Sequence, residues 1–246
     1  MLSIDSVSKR FGNGTLALES ISAKVETGEF VALLGPSGCG KSTLLRLLAG
    51  LEGPSSGAIV WDEGKQPGPG DIGFVFQDAT LLPWATAAEN VYLPLRLRGR
   101  HRSEVASRID STLAQVGLSE FAGTRPKALS GGMKMRVSIA RALVSEPLLL
   151  LMDEPFAALD EFTRHRLQED LHKLWRETGK TVVFVTHSIY EAAYLASRIL
   201  VMSPRPGRVA TDIRTAIPEG PNRRSSTEYV RLVAQVTETL RQVMPA

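Results

Sequence analysis

The sequence predicts an α/β domain built on a parallel sheet with helices on both faces. Three observations carry this. The apolar runs Phe30–Leu34, Leu148–Met152 and Thr181–Thr186 have the length of strands buried on both sides. Helical patterns alternate with them, as parallel strands joined by crossover helices require. A glycine-rich loop also separates the first of these strands from the helix after it, at the strand end where such sheets bind ligands.

The elements follow in order. Leu2, Ile4 and Val7, then Leu16, Leu18, Ile21 and Val25, loosely alternate with polar neighbours, so an N-terminal pair of half-buried antiparallel strands is expected. Thr27-Gly28-Glu29 is a turn before Phe30–Leu34, and Ser42–Ala49 is helical in pattern and stopped by Gly50. Ala58–Trp61 reads as a short strand, Glu63–Asp71 as a loop rich in glycine and proline, and Ile72–Gln77 as another buried strand. From about 85 to 145 an inserted helical subdomain is expected, with Ile109, Leu113 and Val116 on one face, an Arg-rich bend at Arg96–Arg102 and a strong helix at Gly131–Ser145. Helices are expected at Glu161–Glu177 and Ser188–Ser197, a strand at Arg198–Met202 and a turn at Ser203–Arg208. Tyr229, Val233, Val236, Leu240 and Val243 recur three or four apart, which predicts an amphipathic C-terminal helix over about 225–243, docked on its own domain. The whole of 1–246 is expected to form one domain.

Composition narrows the function. The 29 basic and 26 acidic side chains leave a net charge of +3, too mild to argue for nucleic-acid binding. A single cysteine, Cys39, excludes an internal disulfide and fits a reducing compartment. The opening Met1–Asp5 lacks the pattern of a secretory signal, and no apolar stretch approaches the roughly 18 residues that span a bilayer. Any service to a membrane must then run through a partner.

The chemistry is concentrated in short segments. Gly35-Pro36-Ser37-Gly38-Cys39-Gly40-Lys41-Ser42-Thr43 satisfies the phosphate-loop pattern. Its glycines let backbone N–H groups curl inward, and the helix starting near Lys41 adds its positive end. Lys41, expected to be exposed, reaches the β- and γ-phosphates, and Ser42 offers a hydroxyl to Mg²⁺. Leu148–Met152 ends in Asp153-Glu154; Asp153 would hold Mg²⁺ with Ser42, and Glu154 would polarise the attacking water. Leu129-Ser130-Gly131-Gly132-Met133 is a second anion site at a helix start, although Ser130 alone would read as an ordinary helix cap. Cys39 reads as a tolerated small residue rather than a redox sensor, and His101, His165 and His172, without metal-ligand spacing, as solvated.

With these segments in this order, the chain resembles the ATP-binding subunits of ABC transporters over almost its whole length. The resemblance implies a RecA-like phosphate-loop NTPase core and two subunits sandwiching two ATP molecules, so that Ser130, Gly131 and Gly132 serve the partner's nucleotide. It implies that Phe11 stacks on adenine, that Gln77 links Mg²⁺ and water to the membrane contact, that His187 senses the γ-phosphate, and that Asp160 couples the two sites. Met133 stands where the family most often has Gln, and Phe11 where Tyr is commoner; neither touches phosphate chemistry. Met133–Arg136 and Met202–Arg208 resemble the importer branch for nitrate, sulfonates and taurine. An integral membrane permease, an indirect solute-binding protein and a place on the cytoplasmic face of the membrane follow from the resemblance. An exporter motor is the alternative. A DNA-repair ATPase would need a long heptad insertion that this sequence lacks. Leu81, Leu82 and Trp84, after Gln77, are expected on an exposed loop that docks the permease.

Overall fold

The computed structural model describes residues 2–62, 66–220 and 222–244. In chain order the strands and helices are β1 (Leu2–Arg10), β2 (Leu16–Val25), β3 (Phe30–Leu34), α1 (Lys41–Leu48), β4 (Ser56–Trp61), β5 (Ile72–Val75), α2 (Ala87–Leu97), α3 (Arg102–Gln115), α4 (Gly131–Leu143), β6 (Leu149–Asp153), α5 (Glu161–Thr178), β7 (Thr181–Thr186), α6 (Ile189–Leu195), β8 (Arg198–Met202), β9 (Val209–Arg214) and α7 (Thr227–Val243). They fall into two compact units, Met1–Gln66 with Thr181–Ala246, and Pro67–Lys180.

The first unit holds two sheets. β1 pairs antiparallel with β2 on one side and β4 on the other, with Leu2 opposite both Val25 and Trp61. The expected N-terminal antiparallel strands are therefore present, and the short strand near Ala58 joins them. In the other sheet β3 lies parallel between β7 and β8, and its five residues are all buried. Parallel strands covered on both faces need an unbroken apolar sequence, which is what Phe-Val-Ala-Leu-Leu supplies. Phe30 and Phe184 meet inside, ring centres 5.8 Å apart. The edge is closed by β9, antiparallel to β8, which the sequence reading did not include. Only Ile213 of β9 is fully buried, so its apolar signal is that of an edge strand, too weak to read.

Helix α7 starts at an N-cap, Ser226, whose hydroxyl accepts from the Tyr229 N–H. It buries Tyr229, Leu232, Val236 and Leu240 and packs on α6, the docking expected from its periodicity.

In the second unit β5 and β6 run parallel, Ile72 opposite Leu149 and Val75 opposite Met152. The expected strand Ile72–Gln77 stops two residues early. Of the loop expected at Glu63–Asp71, residues 63–65 lie outside the described residues. The helical stretch resolves into α2, α3 and α4, with the Arg-rich bend between α2 and α3. Thr86 and Glu89 close α2 with reciprocal bonds, the Thr86 hydroxyl accepting from the Glu89 N–H and the Glu89 carboxylate from the Thr86 N–H. His101 and His165 are exposed as expected, but His172 is buried on α5 against the Trp175 ring, 5.7 Å between centres. Its place on the apolar side of α5, one residue from Leu171, explains the correction.

One ion-pair group ties the first unit together. Arg198, on β8, donates to both carboxylate oxygens of Asp212 on β9 at 2.8 and 2.6 Å, to the Lys24 carbonyl at the end of β2 at 2.6 Å and to Glu29 at 3.3 Å. Arg198 holds the Asp212 carboxyl below the usual carboxylate range, chiefly through these hydrogen bonds. A lowered folded-state pKa contributes stability above the unfolded-state pKa, and that contribution is lost as pH falls through the folded-state value. Asp212→Asn should lower unfolding stability at pH 7 by about 1 kcal/mol, the modest figure set by solvent screening of a half-exposed carboxylate. Its stability should also fall less than that of the parent chain between pH 5 and pH 3, as urea titrations at each pH would show.

Candidate nucleotide-binding site

The site begins with a register. Leu34 lies opposite Thr186 of β7 and beside Val201 of β8, so Gly35, His187 and Ser203 all leave the sheet at one carboxyl edge. This is the edge at which parallel sheets bind ligands, because the loops there can be shaped without breaking strand hydrogen bonds. The loop Gly35–Gly40 then turns into α1. Gly40 caps that helix in the left-handed region, φ 105°. An added Cβ there would stand 2.6 Å from the Leu18 Cδ2 and 2.9 Å from the Ala17 carbonyl oxygen, so both conformation and space demand glycine.

Lys41 departs from expectation. It is 4 % exposed rather than presented to solvent. Its ammonium donates to the Gly35 carbonyl at 2.7 Å and the Pro36 carbonyl at 2.9 Å. The loop's own backbone folds over the cation because a buried ammonium needs acceptors. Those carbonyls are neutral and leave the positive charge to be balanced. The ammonium charge and the N-terminal end of α1 thus lie together, the chemistry that suits a polyphosphate. Ser42 and Thr43, in the first turn of α1, are half-buried. Cys39 is buried and its thiol is pushed up by that burial, the opposite of an activated thiol.

Phe11 follows β1 in a short turn closed by the Phe11 N–H to the Thr15 carbonyl and the Gly14 N–H to the Phe11 carbonyl, both at 2.9 Å. The ring is half-buried, with the Lys9 ammonium 5.5 Å from its centre. His187 is exposed, one residue beyond β7.

In the second unit the register of β5 against β6 brings a second set of residues to one carboxyl edge. Val75 lies opposite Met152, so Gln77 and the pair Asp153-Glu154 follow neighbouring strand ends. Gln77 is exposed, while Asp153 and Glu154 are half-buried. Glu154 is held at φ 44°, a conformation unfavourable for a residue with a Cβ. Strain of this kind costs roughly 1–3 kcal/mol and persists where the surroundings demand a particular side-chain direction. Asn90, buried on α2, holds the segment after Gln77: its Oδ1 accepts from the Leu82 N–H at 2.7 Å and its Nδ2 donates to the Leu82, Ala85 and Thr86 carbonyls. Arg141 on α4 donates to the Ala79 and Thr80 carbonyls, each at 2.9 Å. Sequence reasoning missed both. Asn90, a polar residue within a buried helix pattern, was a usable signal; Arg141 offered none. Leu81 and Leu82 are half-buried rather than exposed, Asn90 holding the Leu82 backbone, whereas Trp84 is 70 % exposed.

Ser130 is the N-cap of α4, its hydroxyl accepting from the Met133 N–H at 3.3 Å, and it remains exposed beside Gly131. Asp160 caps α5, accepting from the Thr163 N–H at 2.9 Å, and that bond lowers its carboxyl pKa. The ordinary capping role of both residues is therefore present in the fold.

Comparison with known proteins places the chain. The family model described as ABC transporter matches residues 18–157. The taurine import ATP-binding protein TauB of Rhizobium johnstonii is 44% identical, the alignment covering 98% of this chain and 99% of that protein. The aliphatic sulfonates import ATP-binding protein SsuB of Bacillus cereus is 42% identical over 96% of this chain and 94% of its own. Among solved structures, a dimeric post-hydrolysis ATP-binding cassette bound to ADP and Pi is 36% identical, with a TM-score of 0.74, covering 87% of this chain and 98% of that one. A family match over more than half the chain, and relatives this similar along nearly their full length, make the assignment direct: the chain belongs to the ABC transporter family, among its ATP-binding subunits.

Proposed function

We propose that this chain binds and hydrolyses ATP to drive import of a small sulfonate-like or related anionic nutrient through a membrane permease, working as a dimer. The observation that carries the catalytic part is the buried Lys41 ammonium, held by two loop carbonyls at the start of α1. The import part is supported by the relatives named above and by the segments Met133–Arg136 and Met202–Arg208. The solute-binding protein that would deliver the nutrient belongs to the same reading, as does a position against the cytoplasmic face of the membrane. No helix among the described residues is long and apolar enough to cross a membrane.

Among the described residues no three His, Cys, Asp or Glu side chains gather as a metal centre. Mg²⁺ takes most of its ligands from phosphate and water and needs only one or two from protein. Ser42, Gln77 and Asp153, with a single carboxylate among them, are the residues that would hold it. Bound there, Mg²⁺ would neutralise charge on the phosphates.

The protein's own groups take the remaining roles. Phe11 stacks on adenine, and the N–H groups of Gly35, Pro36's successor Ser37, Gly38, Cys39 and Gly40 cradle phosphate oxygens. Lys41 moves its charge from carbonyls to the β- and γ-phosphates. Glu154 accepts a proton from water as it attacks the γ-phosphorus, the bond to the bridging oxygen breaks, and ADP and phosphate result. His187 contacts the γ-phosphate. Ser130, Gly131 and Gly132 close over the nucleotide of the other subunit, and Asp160 links the two sites across the dimer.

The permease contact is assigned to the second unit. A cleft of about 470 Å³ is lined there by Phe74, Phe76, Leu93, Pro94 and Leu97 together with Arg98 and Arg141. Leu97 is 79 % and Phe76 41 % exposed. Exposed large apolar groups rimmed by cations suit the end of a permease helix. Thr80, held by Arg141, forms part of its wall.

Three outcomes test this reading. Glu154→Gln should bind ATP normally but hydrolyse it about 10²–10⁴ times more slowly, the usual contribution of a positioned base; its dimer should then survive sizing chromatography in Mg-ATP, and wild-type turnover would refute the role. Ser130→Arg should abolish hydrolysis while the isolated monomer keeps its ATP affinity, measured by fluorescent-nucleotide titration; affinity falling in step with activity would remove the two-subunit site. Finally, Trp84→Ser with Leu97→Ser should weaken co-purification with the permease and lower transport. Unchanged permease binding would exclude both the cleft, which Leu97 lines, and the exposed Trp84 segment as the contact.

A further inference from the structure

The turn Ser203–Arg208 between β8 and β9 is packed on the phosphate loop. Ser203 closes the turn, its N–H donating to the Arg208 carbonyl and its hydroxyl accepting from the Arg208 N–H, both at 3.0 Å. The turn is tethered to β2 on both sides of Gly207: the Gly207 N–H donates to the Ala17 carbonyl at 2.9 Å, and the Glu19 N–H to the Gly207 carbonyl at 3.0 Å. Arg208 adds an ion pair to Glu19 at 2.7 Å. Gly207 presses so closely that an added Cβ would lie 2.0 Å from the Cys39 carbonyl oxygen. At Gly35, the first residue of the loop, an added Cβ would lie 2.9 Å from the Met202 carbonyl oxygen. From this tethered turn Arg205 reaches across, donating Nε at 3.1 Å and Nη2 at 2.9 Å to the one carbonyl of Gly38.

We propose that Arg205 is a positioning residue for ATP binding, which fixes the phosphate loop in its binding shape before the nucleotide arrives. The peptide plane supplies the mechanism. The Gly38 carbonyl and the Cys39 N–H belong to one rigid amide, so holding the oxygen on the Arg205 side also holds that N–H where it closes the loop's turn on the Pro36 carbonyl at a long 3.4 Å. Gly38 itself sits at φ 74°, where glycine has several alternatives of similar energy and a free loop would sample them. A two-donor guanidinium selects one. The entropy of ordering the loop is then lost on folding rather than on binding, which raises affinity without touching the chemical step. The turn that carries Arg205 is anchored to β2, so the clamp is borne by the sheet and not by the loop it restrains.

The inference rests on Gly35–Thr43 being the ATP site, and the single cysteine lets the two be tested separately. Cys39 is 1 % exposed and lies inside the loop, so its reaction with a thiol reagent reports loop opening. The full chain would be compared with Arg205→Ala, Arg205→Lys and Arg208→Ala by thiol-labelling rate, ATP affinity and steady-state ATPase. Arg205→Ala should label Cys39 faster and raise Kd and KM for ATP about tenfold, equivalent to roughly 1.4 kcal/mol, with kcat at saturating Mg-ATP little changed. Arg205→Lys, able to keep one donor on the same carbonyl, should recover part of both effects. Arg208→Ala, which loosens the Glu19 pair without reaching Gly38, should do less. Labelling and affinity within about twofold of wild type for Arg205→Ala would overturn the proposal, as would a loss confined to kcat or an equal effect from Arg208→Ala. Should Arg205→Ala fail to fold, an Arg205→Lys protein indistinguishable from wild type in KM would overturn the two-donor clamp. ATP failing to protect Cys39 in the wild-type chain would instead strike at the ATP site itself.

Discussion

The parallel pairing of β3 between β7 and β8 is the constraint on which the nucleotide site depends. Register leaves no freedom in where Gly35, His187 and Ser203 emerge, because a slip of one residue would turn every buried side chain of β3 to its other face. Since both faces of β3 are buried, the slip would exchange the whole packing of Phe30 through Leu34. The loop that follows therefore inherits a fixed starting point. Its cation is then handled locally, by carbonyls, so that a full charge can be buried before its ligand arrives.

The second unit uses a helix in the same way. Helix α4 opens at Ser130, on the segment expected to meet another subunit's nucleotide, and carries Arg141 near its far end. Arg141 is buried enough that desolvation lowers its pKa, yet it spends its donors on the carbonyls of Ala79 and Thr80. A helix of 13 residues is stiff over this length. Its far end is thereby joined to the segment after Gln77, where Thr80 is held at φ 44°. Asn90 fixes the other end of that segment by four hydrogen bonds. The result is a short span pinned at two places, with the exposed Trp84 between them.

Several residues of the proposed site also have a place in the fold. Ser130 and Asp160 cap α4 and α5, and Glu154 accepts a positive φ immediately after β6. Capping contributes about 1 kcal/mol each, so a cap is a stable way to place a hydroxyl or carboxylate at a helix N-terminus without spending further structure on it. Glu154 shares its positive φ with Thr80, and its carbonyl accepts from the Ala157 N–H at 3.1 Å, so the strained residue closes the turn that leaves β6. The turn bearing Arg205 extends the principle to the phosphate loop, where conformational freedom of glycine is restrained by an exposed arginine rather than by packing.

Much of this protein is legible in its sequence because the determinants are local. The phosphate loop, the strand ending in Asp153-Glu154, the cap at Ser130 and the apolar stripe of α7 each lie within one element, and periodicity or residue type suffices to read them. The edge strand β9 was not legible, since only Ile213 is buried and an edge strand carries little apolar pattern. Nor was the burial of Lys41 or His172, which follows from surroundings rather than from neighbours in sequence. The contacts of Arg141 with Thr80, Arg198 with Asp212 and Glu29, and Arg205 with Gly38 join residues that no spacing rule connects. Residue types determined which chemistry this chain could perform; only tertiary structure decided which arginines hold its loops, because a guanidinium on a long side chain finds its carbonyl partner in space and leaves no trace of that choice in the order of residues.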